Sequence, residues 1–537
     1  MTHLRTVGPL VGAMALLLSA GCRPSLDVTN PNAPDVARAL ASAEDVKNLA
    51  ISSVNSWYLG STYLEPYMMF SVTSDVGGAN FGNFGMRFNN LEPRIPYGNN
   101  SAGGDRGAAA SPWDNSYSAL GAANDALRAF ANGVVLTAGA AETAKYKQLA
   151  MFVQAAELTN LALIFDKSFI VDEATTEPAL SPYKDVSAAA MAKWAAVIAA
   201  TAGGTNSYDP TVLPMTVGPL TSTRLNRISN TMAALTLAYT PRNAAEAGTV
   251  DWAKVATYAA NGIGTGNAGA PFNMEVVGDN NNWYSYINYY GNEASWVRID
   301  LRLINRMDPN TPAKFAGVVP PRGSSPDARF TSDYDYKGNV IGDPARGVYM
   351  QTPYFHKRYI THSRTSPTAG ATAVPYLLAA ESDLVRAEAL IRTTSGADLA
   401  TAASLINISR VGRGTLTPAT AADGAATLLG YINYERDVEL PNTSGFTLMQ
   451  RRHVDGLQAG TIHHLPIPAK ELETLGLPIY TFGGPGLEQS VGSLGGGLMA
   501  SFSPFNGLQA TIEAPNGKML GLHFPTKPSR PSLNARQ

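Results

Sequence analysis

Cysteine is almost missing from this sequence: Cys22 is the only one in 537 residues. A chain with one cysteine cannot close an internal disulfide, so its fold stands on core packing and the thiol is free for another role. Charge is also scarce. Lys, Arg, Asp and Glu make up 15% of the chain, and 40 basic against 42 acidic side chains leave a net charge of −2. No basic block stands anywhere, which argues against a nucleic-acid partner. Beyond the N-terminal apolar stretch, no run approaches membrane-spanning length. The strong catalytic patterns are absent too: there is no Gly-x-Ser-x-Gly elbow, no His-Glu-x-x-His and no phosphate-binding glycine loop. Asp333 to Gly338 begins like a calcium loop, but Lys337 takes a ligand position and Pro344 stands where the closing glutamate belongs, so a solvated turn is the better reading. His463-His464 and the pair His356 and His362 lack helical metal spacing and read as surface or core histidines. No metal or cofactor is expected.

What is present starts at the N-terminus. His3 and Arg5 give a weakly basic start, Val7 to Ala20 are apolar, and Ser19-Ala20-Gly21 precede Cys22. The stretch is too short to span a bilayer and reads as a secretory signal over residues 1–21. It resembles a bacterial lipobox, with Ser19 where leucine is commoner and Leu18 one place early. Such a cysteine takes up diacylglycerol through its thiol, and each buried methylene then contributes about 0.8 kcal/mol of anchoring. Arg23 rather than an aspartate follows, which leans towards the outer membrane.

The rest of the chain reads as mainly helical. Ser42 with Asp45 makes a capping-box start, and Val46, Leu49, Ala50, Val54 and Trp57 follow at helical spacing up to Gly60. Ser111-Pro112 opens a second helix with Trp113, Tyr117, Leu120, Asn124 and Leu127 on one face. Further stripes run through Tyr146, Leu149, Val153 and Ala156, through Leu225 to Tyr239, and through Trp252, Val255 and Ala259. Tyr376 to Thr393 and Asp398 to about Val411 form a helical hairpin closed by Ser395-Gly396, close to one tetratricopeptide repeat in length. The expected fold is a mainly α, tetratricopeptide-like hairpin scaffold with long loop-rich insertions and a few short strands.

Those insertions are Thr73 to Ala110, Gly262 to Tyr354, and Gly460 to the end, with a loose Pro-rich tail from Pro525. The 50 glycines, 35 prolines and 23 tyrosines of the chain point to long ordered loops over a compact core. One loop concentrates Trp283, Tyr284, Tyr286, Tyr289 and Tyr290, with Trp296 and Arg298 close behind. Aromatic faces stack on the C–H faces of sugars while Asn and Arg hydrogen-bond hydroxyls. A second candidate wall holds Asp75, Asn80, Phe81, Asn83, Phe84 and Arg87. Rings also pack large loops, and for any single residue packing is the commoner fate.

Taken in order, Trp113-x-x-x-Tyr117 with Ala123-Asn124, Glu381-Ser382-Asp383-Leu384-Val385-Arg386-Ala387-Glu388-Ala389-Leu390, Ile406-Asn407 with Arg410, Glu435-Arg436-x-x-Glu439-Leu440, and Leu465-Pro466-Ile467-Pro468 with Glu471 resemble the SusD/RagB family of outer-membrane nutrient-binding lipoproteins. The family usually carries an acidic residue, glycine and arginine after the Glu-Leu pair, and an aspartate soon after; Ser444, Gly445, Thr447 and Gln450 stand there instead. The resemblance implies one large domain over 22–537: an N-terminal helical part (22–261), a loop-rich ligand-binding region (262–354), and a C-terminal part (355–537) holding the hairpin 376–411. It implies a surface-exposed binding protein, not an enzyme, that is lipid-anchored at Cys22, takes an oligosaccharide or peptide, and delivers it to a SusC-like TonB-dependent transporter. A helical-repeat scaffold that binds proteins is the alternative. A secreted glycoside hydrolase ranks third, because sequence does not say which carboxylates meet across a cleft.

Overall fold

The computed structural model describes residues 40, 42–266, 268–341, 351–393 and 396–492. Cys22, Ser395 and the tail from Pro525 lie outside them. The first helix, α1 (Ala43–Ser61), starts where its cap dictates: the Asp45 N–H donates to Ser42 Oγ at 3.3 Å, and Val46, Ala50, Val54 and Trp57 face the core. Next comes α2 (Leu64–Thr73), buried almost all round. A helix with no polar face has no period to detect, which is why the sequence pattern passes over it.

A scaffold of longer helices follows: α3 (Gly107–Ala131), α4 (Ala140–Ile164), α5 (Tyr183–Thr201), α6 (Ser222–Tyr239, capped by Thr221) and α7 (Trp252–Ala260). Helix α3 begins upstream of Ser111-Pro112, which fall inside it. Ser111 is no cap; its hydroxyl donates to Glu65 Oε2 at 2.8 Å, tying α3 to α2. A short helix α8 (Tyr286–Gly291) precedes α9 (Ala379–Thr393), α10 (Gly396–Arg410) and α11 (Gly424–Glu439). Packing runs serially, α1 on α3, α3 on α4, and so on to α7 on α9 and α9 on α10 and α11, so each hairpin closes the apolar face of the one before. That is the tetratricopeptide-like logic: a lone pair of helices leaves its apolar stripe in water.

Among the described residues the strands form four two-stranded antiparallel ribbons: β1 (Gly77–Gly78) with β5 (Arg298–Ile299), β2 (Lys167–Phe169) with β3 (Leu180–Pro182), β4 (Met274–Val277) with β8 (Ala373–Leu377), and β6 (Tyr334–Tyr336) with β7 (Tyr354–His356). Tyr376 therefore belongs to a strand, and the hairpin's first helix starts at Ala379. The ribbon β6–β7 also overturns the solvated turn expected at Asp333. Asp333 is buried and paired with Arg413 and Arg358, whose charges hold its carboxyl below the usual range against the opposing effect of burial. Among the described residues no cluster of His, Cys, Asp and Glu is arranged to hold a metal, and no helix is long and apolar enough to cross a membrane.

Candidate ligand-binding face

The two aromatic walls lie some two hundred positions apart in sequence, and the β1–β5 ribbon joins them. Gly77 pairs with Ile299 and Gly78 with Arg298. The approach is close: a Cβ on Gly77 would stand 2.6 Å from Ser71 Oγ and 2.9 Å from Val297 Cγ1, so no larger side chain fits without displacement. Just beyond the ribbon, Phe81 and Phe84 stack on Trp296, with centroids at 5.4 and 5.5 Å and planes within 24° and 21°. Phe84 sits at φ 55°, a left-handed conformation that a bulky residue adopts only when its surroundings impose it.

From Trp296 the contacts continue without a break. Tyr290 packs on Trp296 at 4.9 Å, Tyr289 on Tyr290 at 5.1 Å, Tyr284 on Tyr289 at 5.8 Å, Tyr286 on Tyr284 at 4.6 Å, and Tyr63 on Tyr286 at 5.0 Å. Helix α8 explains the order. Tyr286 and Tyr290 are four residues apart, on one face, and pack with Phe84 on a small apolar cluster of Leu64, Met68, Val72, Ala79, Met86 and Val297. Ser285 caps the helix by accepting the Asn288 N–H at 3.2 Å. Burial, the largest effect, and the neighbouring rings push the Tyr63 phenol up to about 12 and raise Tyr284, so both stay neutral hydrogen-bonding groups.

A buried histidine holds this segment in place. The Ser285 N–H donates to His362 Nε2 at 3.1 Å, while His362 Nδ1 faces the Thr372 carbonyl at 3.0 Å. One nitrogen must accept and the other donate, which assigns the neutral Nδ1–H tautomer. Burial lowers this imidazole to about 4 and His356 to about 3. Both are core histidines.

Not every residue read as a ligand contact stands on the ribbon. Phe81 is 36% exposed, and Phe84, Tyr284, Tyr286, Tyr289 and Tyr290 are half-buried. Trp296 is only 9% exposed and serves as the keystone on which the other rings rest. Trp283 is buried at 6% against Tyr58, its centroid 5.7 Å away. Asp75 is buried, accepting from Arg94 at 2.8 Å and from Gln458 at 2.8 Å. Arg298 is buried and donates to the carbonyls of Ala294 and Thr352, both at 2.9 Å. Asn80 is buried. Arg87 is half-buried, with its guanidinium over Phe88 at 5.5 Å.

Two residues at this face escaped the sequence reading. Tyr63 closes one end of the ribbon. Arg364 lies at the other, its guanidinium 5.8 Å from the Trp296 ring and its backbone N–H donating to the Tyr289 carbonyl at 3.0 Å. Its Nε donates to Glu293 at 2.7 Å and its Nη2 to Ser295 at 2.9 Å. Arg364 stands in a Ser/Thr-rich stretch with no aromatic beside it, so no local pattern marked it.

No family model matches the sequence, and no curated protein matches it. Solved structures do. A SusD homologue from Bacteroides thetaiotaomicron has 13% identity and a TM-score of 0.57, with 81% of this chain and 97% of that one covered. The chain has the SusD fold. A surface glycan-binding protein from Bacteroides uniformis is similar at 16% identity and TM-score 0.54, covering 81% and 98% of the two chains. A SusD-like carbohydrate-binding protein from Bacteroides fragilis is similar at 15% identity and TM-score 0.54, covering 77% and 86%.

Within the SusD fold the family-like segments turn out to be joints. Glu435 and Glu439 both accept from the buried Arg329, at 2.6 and 3.2 Å, and Arg436 pairs with Glu388 at 2.7 Å. Leu465, which opens the Leu-Pro-Ile-Pro segment, donates its N–H to the Ile164 carbonyl at 2.7 Å and so docks on the end of α4. The departures at Ser444 and Gln450 also acquire a reason. Both donate to Glu381, at 3.1 and 3.0 Å; this glutamate has no cation within 4 Å among the described residues, and burial raises its pKa. Uncharged hydrogen-bond donors thus surround Glu381 at the positions where the sequence departs from the family pattern.

Proposed function

We propose that this protein binds an oligosaccharide along the aromatic ribbon, is held by lipid on Cys22 at the outer membrane, and hands its ligand to a SusC-like TonB-dependent transporter. Binding is its work, and catalysis is not. The single observation that carries the reading is the uninterrupted run of ring contacts from Phe81 to Tyr63, partly exposed on either side of the buried Trp296 and assembled from separate segments on a SusD fold. Sugar rings stack their C–H faces on such apolar ring faces, so several contacts in line suit an oligomer better than a single sugar. Two of the structurally similar proteins, named above, are described as binding glycans or carbohydrates, which supports the assignment. The ribbon draws on residues 63 and 81–84 as well as 284–296, so the ligand region is wider than 262–354. A peptide is the alternative cargo, and the same face would stack its side chains.

The test is affinity electrophoresis of the purified protein through a panel of soluble polysaccharides, with native pull-down from membranes. Retardation by at least one polysaccharide and recovery of a TonB-dependent barrel are expected. Retardation by none, with no barrel recovered, defeats the proposal. A C22S variant is expected to move from the membrane fraction to the soluble fraction; membrane retention of C22S would refute the lipid anchor.

A further inference from the structure

The aromatic ribbon explains affinity for a sugar face but not the choice among sugars, because every pyranose offers a C–H face. Choice needs polar groups in fixed positions. Arg298, the arginine that the sequence offered, is buried on backbone carbonyls. Arg364 is 36% exposed and stands beside the keystone Trp296. Two anchors orient it: Nε on Glu293 and Nη2 on Ser295, whose own hydroxyl donates to Glu293 at 2.6 Å. Among the described residues Nη1 has no hydrogen-bond partner.

We propose that Arg364 is the specificity-determining residue of this face, donating through Nη1 and the remaining N–H of Nη2 to two neighbouring hydroxyls of a neutral sugar. This rests on the glycan reading above. The planar guanidinium presents parallel donors at a spacing that matches paired oxygens, and its anchors remove the rotamer entropy such a contact normally costs. Neutrality follows from Glu293. Its buried carboxylate, 2.7 Å from Arg364 Nε, balances the arginine charge. A neutral hydroxyl needs only a donor of this kind, whereas an ionised uronate gains most from a cation whose charge is free, and here that charge is already balanced by Glu293.

Wild type, R364A, R364K and F81A are to be titrated with glucomannan, amylopectin, galactan and polygalacturonate, with melting temperatures recorded for each. The expected result is that wild type binds at least one neutral polymer at least ten-fold more tightly than polygalacturonate. R364A should lose ten-fold or more, and R364K, which keeps the charge facing Glu293 but not the fork, should not restore it. The melting temperature of R364K, which keeps a cation on the buried Glu293, should stay near that of wild type, so that its loss of binding reads the missing fork; R364A leaves that carboxylate unpaired and should melt lower. If R364A binds within two-fold of wild type while F81A loses binding, Arg364 is idle and the ribbon reading survives. Preference for polygalacturonate overturns the neutral-sugar argument. If wild type binds none of the four, and none of the wider polysaccharide panel, the glycan reading falls and this proposal with it.

Discussion

Trp283 and Phe81 look alike in sequence, each an aromatic among polar loop residues, yet they do opposite things. Trp283 is 6% exposed and packs on Tyr58, so W283A should cost about 3–5 kcal/mol of stability, as large-to-small core changes do. F81A removes a ring that is 36% exposed, and it should lower glycan affinity about ten-fold while shifting stability by less than about 1 kcal/mol. Chemical denaturation of the two variants beside polysaccharide titration checks the pair; equal stability losses would mean that Phe81 is core. A second residue-scale prediction concerns Glu157 in α4. Its carboxyl is buried with Asn160 donating at 3.0 Å, and desolvation raises it to about 8. The unfolded chain ionises this group near 4.5, so its stabilising contribution is complete below that value and is lost as pH rises towards 8. E157Q should therefore match wild type near pH 4 and exceed it by roughly 2–4 kcal/mol at pH 8 and above. A stability difference that does not change with pH would show that Glu157 is not held neutral.

At the scale of elements, the β1–β5 ribbon matters more than its length suggests. Two residue pairs hold the loop bearing Phe81 and Phe84 against the segment bearing Trp296. Gly77 permits that approach, and G77V would place a branched side chain within contact distances of 2.6 and 2.9 Å. The expected outcome is a lowered melting temperature together with loss of polysaccharide binding, and fluorescence of Trp296 should shift as its stacking loosens. Unchanged binding in G77V would show that the two walls do not work together. The histidine strut belongs to the same scale. His362 bridges the cap of α8 and Thr372, so one neutral imidazole orients the tyrosine face of the ribbon.

Across the whole molecule, the helices form a rigid base and carry the fixed charges inside it. The interior holds Arg329 with Asp327, Glu435 and Glu439, and Arg436 with Glu388 and His453. Removing one partner from such a set leaves a buried charge, which is costly; paired, the set specifies how the C-terminal helices seat. Loops laid over this base can then hold shallow, partly exposed rings, including Phe84 in a left-handed backbone, without the fold depending on them. On the proposed delivery role the affinity should be modest, because a ligand held too tightly is not released.

The amphipathic stripes of α1, α4, α6 and α7, the hairpin of α9 and α10, the loop-rich character of the insertions within the described residues and the identity of most rings in the contact run were legible in sequence, because each rests on local spacing or local composition. The helices α2 and α5 were not, since neither presents a clear polar-to-apolar period. Nor was the start of the hairpin: Val374, Tyr376 and Leu377 are apolar enough for a helix, and only pairing with β4 makes them a strand. The division between Trp283 in the core and Phe81 on the surface, the burial of Asp75 and Arg298, and the arrival of Tyr63 and Arg364 at the same face were decided by tertiary structure alone. Burial and convergence depend on which distant segments meet, and here a glycine-lined ribbon between residues 77–78 and 298–299 decides that.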